Sequence, residues 1–176
     1  MLLTALTIIA VTILAVFLLT ALTGAPYVPT QRKELRQVFT ELRPLTPDDL
    51  LLDIGSGDGV VLQMAAMQGA RAIGYELNPI LVAVSRVRLR SARSRTKVKL
   101  QNLWTAQFPD DVTLVYTFGE SRDIAKMYRK VQQEATRLGR PLELLSYGFA
   151  VPGVTPHAQH RAHYLYQITP LHSPQA

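Results

Sequence analysis

The chain has 176 residues, of which 48% are apolar, so it can bury a sizeable core and is not a disordered chain. It contains no cysteine, which excludes disulfides, thiolate metal sites and a cysteine nucleophile. The formal net charge is +6, and every charged side chain lies at or beyond Arg32, so the globular part is basic and favours acidic partners.

The chain begins with an apolar run, residues 2–22, that carries no charged side chain. About 20 apolar residues in a helix cross a bilayer core that is roughly 30 Å thick. A cleaved signal peptide, the alternative interpretation, would show a basic residue ahead of a shorter apolar run. The hydroxyls of the threonines in the run can bond to the helix's own carbonyl groups. The sequence therefore predicts a single-pass transmembrane anchor at residues 1–23, in contact with the membrane through residues 2–22.

The charges that flank this anchor predict its orientation. Arg32, Lys33 and Arg36 follow the apolar run, whereas only the amino terminus precedes it. The positive-inside rule therefore places the rest of the chain in the cytoplasm.

A folded domain is predicted at residues 48–176, preceded at residues 24–47 by a linker and a helix that lead into it. Within the domain, short apolar runs alternate with segments in which apolar residues have helical spacing. The predicted strands are 50–54, 72–77, 98–100, 112–118, 142–149 and 163–168. The predicted helices are 31–43, 60–68, 79–93 and 121–138. This alternation predicts an α/β fold with a Rossmann-like, mostly parallel sheet and helices on both faces.

A glycine-rich turn follows the first predicted strand, where residues 51–59 read Leu-Leu-Asp-Ile-Gly-Ser-Gly-Asp-Gly. Glycines let the backbone adopt positive φ and approach a ligand closely. The helix that begins after them offers free backbone N–H groups. A tight strand-to-helix turn without a ligand is the alternative interpretation. The candidate cofactor-binding residues of this turn are Asp53, Gly55, Ser56, Gly57, Asp58 and Gly59.

Glu76 favours a ligand site over a plain turn. It falls 21 residues after Gly55, at the end of the second predicted strand, where a carboxylate can accept hydrogen bonds from ribose hydroxyls. The glycine spacing separates two cofactor classes, because a dinucleotide fingerprint needs glycine at position 60, which is valine. The third glycine lies one residue earlier, at Gly59, so the pattern is Asp-x-Gly-x-Gly-x-Gly.

That pattern resembles the first motif of the class I, seven-strand methyltransferases, which use S-adenosylmethionine. Within that class, other stretches resemble the lysine methyltransferases of the ATP synthase c-subunit and adenine nucleotide translocase type. They are Pro-Tyr-Val-Pro-Thr at 26–30, Gly-Tyr-Glu-Leu-Asn-Pro at 74–79, Asn-Leu-Trp at 102–104 and Phe-Gly at 118–119. The resemblance covers about residues 24–152. The chain departs from the family at Asn102, where aspartate is usual, and at residues 120–123.

The resemblance implies a function and a set of site residues. The cofactor would be S-adenosylmethionine, and the methyl acceptor would be a lysine side chain in a membrane-associated protein. Glu76, Leu77, Asn102 and Leu103 would complete the cofactor site, with Asn102 at the adenine amine. An apolar channel disfavours the charged form of the acceptor amine, so no dedicated base is required. The channel would be lined by Tyr27, Thr30 and Phe118, with Tyr147 and Phe149 as further candidates.

A basic run and a group of histidines bear on other partners. Seven cations with no acid between them lie at residues 86–99, and they form either a solvated face or a docking surface for anionic lipid. Nucleic acid is disfavoured as a partner, because no aromatic residues interleave this run for base stacking. The four histidines, all after residue 156, have helical spacing but no accompanying carboxylate, so no metal site is predicted.

Two other functions remain open. One is methylation of a small molecule or a lipid that is reached from the membrane surface. The other is a non-catalytic module that binds the cofactor and serves in assembly. Retention of Asp53, Glu76 and Asn102 argues against loss of cofactor binding, but does not by itself establish turnover.

Overall fold

The computed structural model describes residues 1–23, 32–118 and 121–171. The predicted linker at residues 24–30 lies outside this part of the chain, together with the predicted channel residues Tyr27 and Thr30. The same holds for residues 119–120, which follow Phe118.

The first helix, α1, spans Leu2–Thr23. The hydroxyls of Thr4, Thr7 and Thr12 donate to carbonyl oxygens three or four residues earlier, at 3.0, 2.9 and 2.8 Å, as predicted for this run. Among the residues whose side chains are described, which in α1 leave out Ile13 and residues 16–23, no helix is both long and apolar enough to cross a membrane.

The described residues form one sheet of seven strands in the order β3-β2-β1-β4-β5-β7-β6. The strands are β1 Leu50–Ile54, β2 Arg71–Glu76, β3 Thr96–Leu100, β4 Leu114–Phe118, β5 Leu142–Tyr147, β6 Ala158–His160 and β7 His163–Ile168. The first five run parallel, and β7 pairs antiparallel with both β5 and β6. All five residues of β1 are buried, as expected for a central parallel strand. The predicted mostly parallel sheet is confirmed.

Some strand limits differ from the prediction. The strand β6 was not predicted, because three residues are too short to display an alternation of apolar and polar side chains. The fourth strand begins at Leu114 instead of residue 112. The fifth ends at Tyr147 instead of residue 149, because Gly148 turns the chain with a φ of 94°.

The helices change geometry where the sequence predicts continuous α-helix. The helices are α2 Arg32–Gln37, α3 Val60–Met67, α4 Pro79–Arg88 and α5 Ile124–Leu138. A π-helical turn, Val38–Leu42, continues α2, and a 3-10 turn, Leu89–Ala92, continues α4. The last helix begins three residues later than predicted and ends at Leu138, followed by Gly139 in the left-handed conformation typical of a helix C-terminus.

Two apolar clusters cover the two faces of the sheet. Successive strand residues point to opposite faces, so Leu51 and Tyr116 lie in one cluster, and Leu52 and Val115 in the other. The first cluster includes side chains from α2, the π-helical turn, α3 and α4, whereas the second includes those of α5. Helices therefore lie on both faces, as predicted.

The order of the strands creates a crevice at the carboxyl edge of the sheet. The strand β1 pairs with β2 on one side and with β4 on the other. The direction of the connections therefore reverses between β1 and β4, and ligands of such sheets bind in the crevice outside the carboxyl ends of the strands. The glycine-rich turn follows β1 and Phe118 ends β4, so both lie at this crevice.

Candidate active site

The glycine-rich turn joins β1 to α3. Gly55, Gly57 and Gly59 have φ angles of 83°, 52° and 82°. The backbone N–H groups of Gly55 and Ser56 both donate to the carbonyl of Tyr75 in β2, at 2.8 and 3.1 Å. A Cβ placed on Gly55 would meet no atom within 4 Å. The start of the turn therefore borders open space into which a ligand can be received.

The carboxylate of Glu76, at the end of β2, is directed at this turn and is buried. Its Oε2 accepts a hydrogen bond from the backbone N–H of Gly57, and its Oε1 accepts one from Asn78, both at 2.8 Å. The Asn78 side chain caps α4 by accepting from the backbone N–H of Ile80 at 2.9 Å. Backbone groups on two sides thus orient Glu76, and the structure brings it to the place where the spacing predicts it. Its contact with ribose stays a prediction.

Asp53 lies behind the turn and is 2% exposed. Burial raises the pKa of Asp53 well above its ordinary range, and the negative charges of Glu76 and Asp58 raise it further. A positive charge nearby would lower this pKa again, because an opposite charge favours the ionised form. Closely spaced acids at the turn therefore favour a cationic ligand.

Two other predicted cofactor residues, Ser56 and Asp58, have contacts inside the protein. The Asp58 carboxylate lies 2.6 Å from the guanidinium of Arg88 in α4, and it accepts from the backbone N–H of Val60 at 3.3 Å. The Ser56 hydroxyl is buried without a hydrogen-bond partner among the described residues, and a Cβ on Gly74 would overlap with it. In this structure both residues pack the turn against neighbouring elements.

The turn after β3 holds the predicted adenine contacts. The Asn102 side-chain oxygen accepts from the backbone N–H of Trp104 at 3.0 Å. Leu77 and Leu103 are apolar and partly exposed. The Nζ of Lys126, in the first turn of α5, lies 3.9 Å from the centre of the Trp104 ring, which is a cation–π contact. These contacts hold the turn beside the crevice.

A row of rings extends from the end of β4 across the sheet. The Phe118 ring packs edge-on against Tyr147 of β5, with 5.5 Å between centroids. Tyr147 in turn stacks on His163 of β7 at 4.4 Å. Burial raises the pKa of Tyr147, and the charge of Glu34 and a hydrogen bond with it raise that pKa further. Phe118, the predicted channel residue, is therefore one end of a larger aromatic surface.

Glu34 and Arg161 also lie at this edge, and neither was predicted from the sequence. The Nη1 of Arg161 is 3.3 Å from Oε1 of Glu34, although 127 residues separate them. The contact depends on the β6–β7 hairpin, which carries Arg161 at its turn. Local sequence patterns do not reveal so distant a pairing.

His163 is expected to make stability depend on pH. It is fully buried, and burial lowers its pKa from 6.5 to about 4. Between these values the unfolded chain binds a proton that the folded protein does not, so stability falls as the pH decreases through 6.5 towards 4. Between about pH 7.5 and pH 4.5, we expect this residue to remove about 2–3 kcal/mol from the free energy of unfolding.

Denaturant unfolding of the wild type and His163→Phe at both pH values measures this contribution. The variant keeps a ring against Tyr147 but cannot bind the proton, so its loss of stability between the two pH values should be smaller by about 2–3 kcal/mol. The carboxylates titrate in both proteins and cancel in the comparison. An identical pH dependence in the two proteins would contradict the expectation.

Only some of the cations in the basic run at residues 86–99 are available to a partner in the structure. Four of its cations contact other groups of the protein: Arg86, Arg88, Arg95 and Lys99. The three others are exposed: Arg90, Arg93 and Lys97. The surface available to an anionic partner is therefore smaller than the sequence suggests.

His157, His160 and His163 lie in or beside the β6–β7 hairpin, so their helical spacing is misleading, and His172 lies outside the described residues. Within residues 1–23, 32–118 and 121–171, no group of three or more histidine or acidic side chains could hold a metal ion. His163 instead contacts Tyr116, whose hydroxyl lies 3.4 Å from its Nε2.

Comparison with known proteins decides the class of this domain. A family model described as the ANTKMT methyltransferase domain matches residues 53–158, which is more than half of the chain. The chain belongs to this family. The ATP synthase c-subunit lysine N-methyltransferase of Homo sapiens is 34% identical over 133 residues, which are 74% of this chain and 54% of the human protein. The Xenopus laevis protein of the same name is 36% identical over 111 residues, 62% of this chain and 48% of that protein.

The chain thus spans about half the length of these two relatives. Among solved structures, an RNA methyltransferase from Salinibacter ruber in complex with S-adenosyl-L-homocysteine aligns with a TM-score of 0.64. The alignment has 24% identity and covers 85% of this chain and 98% of that one, so it shows a shared fold. The predicted family resemblance and the Rossmann-like fold are confirmed.

The cofactor of such a methyltransferase domain, S-adenosylmethionine, fits the residues of the turn. It carries positive charge on its amino group and its sulfur, whereas a dinucleotide carries a negatively charged pyrophosphate. Burial and the charges of Glu76 and Asp58 raise the pKa of Asp53, so a cationic group beside the turn would be stabilised by these acids. The open space at Gly55 leaves room for a ligand against the backbone.

Proposed function

We propose that this chain is a methyltransferase that uses S-adenosylmethionine to methylate lysine side chains of a membrane-associated protein. The observation that carries the proposal is the hydrogen bond from the glycine-rich turn to Glu76, in a chain of the ANTKMT methyltransferase domain family. The relatives from Homo sapiens and Xenopus laevis are named as lysine methyltransferases, which supports lysine as the acceptor.

Different residues of the crevice bind different parts of the cofactor. S-Adenosylmethionine supplies a methyl group that is activated by a positively charged sulfur. The two Glu76 oxygens accept hydrogen bonds from the ribose hydroxyls. Each oxygen has a lone pair left after it accepts a hydrogen bond from a backbone N–H. Asn102 meets the adenine, while the backbone of Gly55 and Gly57, with Asp53 behind it, meets the amino-acid end.

The aromatic surface at Phe118 and Tyr147 receives the acceptor amine. A lysine attacks only after losing its proton, and apolar ring faces disfavour the charged form. A tyrosine hydroxyl is protonated at neutral pH, and burial raises the pKa of Tyr147 further, so this hydroxyl orients the amine instead of acting as a base. The protein thus contributes position and desolvation.

Transfer of label from S-adenosylmethionine tests the proposal. The full chain is incubated with membranes from cells that lack it, and protein and lipid extracts are counted separately. We expect label in protein, recovered as methylated lysine after hydrolysis, and we expect Glu76→Ala to reduce it strongly. Glu41→Gln, which removes an exposed carboxylate, serves as the control and should leave transfer unchanged.

The other outcomes support the alternatives. Label in the lipid extract favours a lipid methyltransferase. Absence of label in both extracts, despite binding of the cofactor, favours a non-catalytic assembly module. Either result would overturn lysine methylation as the function.

The proposal includes a membrane anchor at residues 2–22 and a domain that faces the cytoplasm. It rests on the uncharged run and on Arg32, Lys33 and Arg36, which follow that run. A reporter fused after Ala176 is therefore expected to behave as cytoplasmic. Export of the reporter would reverse the proposed orientation.

A tether would also raise the effective concentration of the enzyme at a membrane-bound target. Removal of residues 1–23 should then reduce methylation of that target at low enzyme concentration while cofactor affinity is unchanged. An anionic lipid surface would meet Arg90, Arg93 and Lys97, each contributing roughly 1 kcal/mol near the surface. Equal methylation by the full and shortened chains would argue against a tethering role.

A further inference from the structure

A polar cluster lies beyond Phe118 on the same face of the sheet. The pairing of the strands places Phe118 opposite Tyr147, and Tyr147 opposite His163. The glycine-rich turn follows β1, which lies two strands from β5, so Tyr147 is about 10 Å from the line of β1. The row therefore leads from the cofactor turn to Tyr147.

Glu34 supplies a carboxylate to this cluster from α2. Only 16% of its side chain is exposed. Besides the ion pair with Arg161, it lies close enough to Tyr147 to raise the pKa of that hydroxyl. A carboxylate that is largely removed from water needs a cation or hydrogen-bond donors beside it. The site at Glu34 therefore favours a positively charged group.

The ion pair with Arg161 compensates the charge of Glu34 only weakly. The contact of Arg161 with Glu34 is a single one at 3.3 Å, and 57% of the Arg161 side chain is exposed. By contrast, Arg43 donates to both Asp49 oxygens, at 2.8 and 3.1 Å, and is 19% exposed. A single contact from a guanidinium that is more than half exposed holds this pair only loosely, so a competing cation can displace Arg161.

Two ring nitrogens near Arg161 also have unused capacity for hydrogen bonds. Nε2 of His160 and Nδ1 of His163 are buried and have no hydrogen-bond partner among the described residues. These two histidines lie opposite each other in the β6–β7 hairpin. Buried polar atoms usually have partners, so these ring nitrogens indicate a site with capacity for a further polar group.

We propose that Glu34 and Tyr147 form the subsite that receives the ammonium group of the acceptor, and that Arg161 occupies this subsite when the acceptor is absent. The inference rests on the proposed lysine methylation and names the residues that select its substrate. Glu34 attracts the charged amine from solvent, and the rings of Tyr147 and Phe118 enclose its apolar chain. The amine releases its proton to solvent before it attacks. The subsite selects for a long, flexible primary amine.

The probe for this subsite is n-butylamine, which is charged at neutral pH and resembles the end of a lysine side chain. The full chain in detergent is saturated with S-adenosylhomocysteine and titrated while the ring resonances of Tyr147, assigned with Tyr147→Phe, are followed. We expect saturable shifts with n-butylamine and much weaker ones with n-butanol, which has the same length but no charge.

Three variants separate a binding role from a structural one. Glu34→Gln should weaken n-butylamine binding about tenfold, because it removes the charge but keeps the shape. Arg161→Gln should strengthen binding about threefold, because it removes the competing cation. Glu41→Gln, an exposed carboxylate in the adjoining π-helical turn, should change nothing.

The opposite signs of the first two variants are decisive, because a purely structural ion pair would give changes of the same sign or none. Equal affinity in Glu34→Gln and the wild type overturns the subsite, as does equal binding of n-butanol. Arg161→Gln alters an exposed turn and tests the inference even where Glu34→Gln does not fold. Failure of S-adenosylhomocysteine to bind would instead count against the proposed function.

Discussion

Replacement of Glu76 by alanine is expected to weaken binding of S-adenosylhomocysteine by about 1–3 kcal/mol, because it leaves the ribose hydroxyls without their acceptor. The structure adds a second cause. The backbone N–H groups of Gly57 and Asn78 lose the carboxylate that both bond, so the glycine-rich turn loses one of its hydrogen bonds to β2. Titration calorimetry with the full chain measures the change.

Two controls separate these causes. Glu76→Gln keeps one oxygen but directs an amide N–H₂ at one of the two backbone donors, so an intermediate loss of affinity is expected. Glu41→Gln removes an equal charge from an exposed position and should leave the affinity unchanged. If Glu76→Ala bound the ligand as tightly as the wild type, Glu76 would not belong to the site.

The second large effect is expected at two glycines of the same turn, Gly55 and Gly59. Their φ angles are 83° and 82°, so alanine is strained equally at both, by about 1–2 kcal/mol. A Cβ at Gly59 would overlap with the Ser85 hydroxyl and approach Leu89 Cδ1 to 3.2 Å, whereas one at Gly55 meets nothing within 4 Å. Gly59→Ala should therefore destabilise the protein by about 1–3 kcal/mol more than Gly55→Ala, as overpacking does.

Gly55→Ala should weaken cofactor binding more than Gly59→Ala, although it should destabilise the protein less. The open space at Gly55 is where the ligand is expected, so Gly55→Ala should weaken S-adenosylhomocysteine binding about tenfold or more. Gly139→Ala is the matched control, because Gly139 also has a positive φ of 66° with nothing near its Cβ position, but ends α5. Gly139→Ala should lower the stability of the protein through backbone strain but leave its affinity for S-adenosylhomocysteine unchanged. Denaturant unfolding and calorimetry give both quantities, and equal stability of the Gly55 and Gly59 variants would contradict the packing argument.

The centre of the fold could be predicted from the sequence because its signals are local. The buried run of β1, the glycines after it and Glu76 at the end of β2 lie within 27 residues. Parallel strands then bring their carboxyl ends to one edge, which places Glu76 beside the turn without knowledge of the remaining chain.

The other features depend on contacts between distant segments. Spacing alone assigned Asp58 to the cofactor, whereas its ion pair with Arg88 becomes visible only when α4 is packed against α3. The predicted helix at residues 31–43 changes to a π-helical turn, with a hydrogen bond from Arg43 N–H to the Val38 carbonyl. Apolar spacing over a few residues does not distinguish the two helix types.

The cluster that is proposed to receive the acceptor was the least predictable part of the site. Phe118 was singled out through the family resemblance, but the cluster at its side requires the pairing of β5 with β7. Glu34 reaches it from α2, and Arg161 from a hairpin whose first strand has three residues. No local motif encodes a group assembled from such separate segments.

Calorimetric titration of the full chain with S-adenosylmethionine and, separately, with NAD tests most directly whether the crevice is a methyltransferase site. The third glycine lies at Gly59 and not at position 60, as a dinucleotide fingerprint requires, whereas Glu76 could accept the ribose hydroxyls of either cofactor. We predict saturable binding of S-adenosylmethionine that is weakened in Glu76→Ala, and no measurable binding of NAD at the same concentrations. Preferential binding of NAD would contradict the interpretation of the glycine-rich turn and, with it, the proposed methyl transfer.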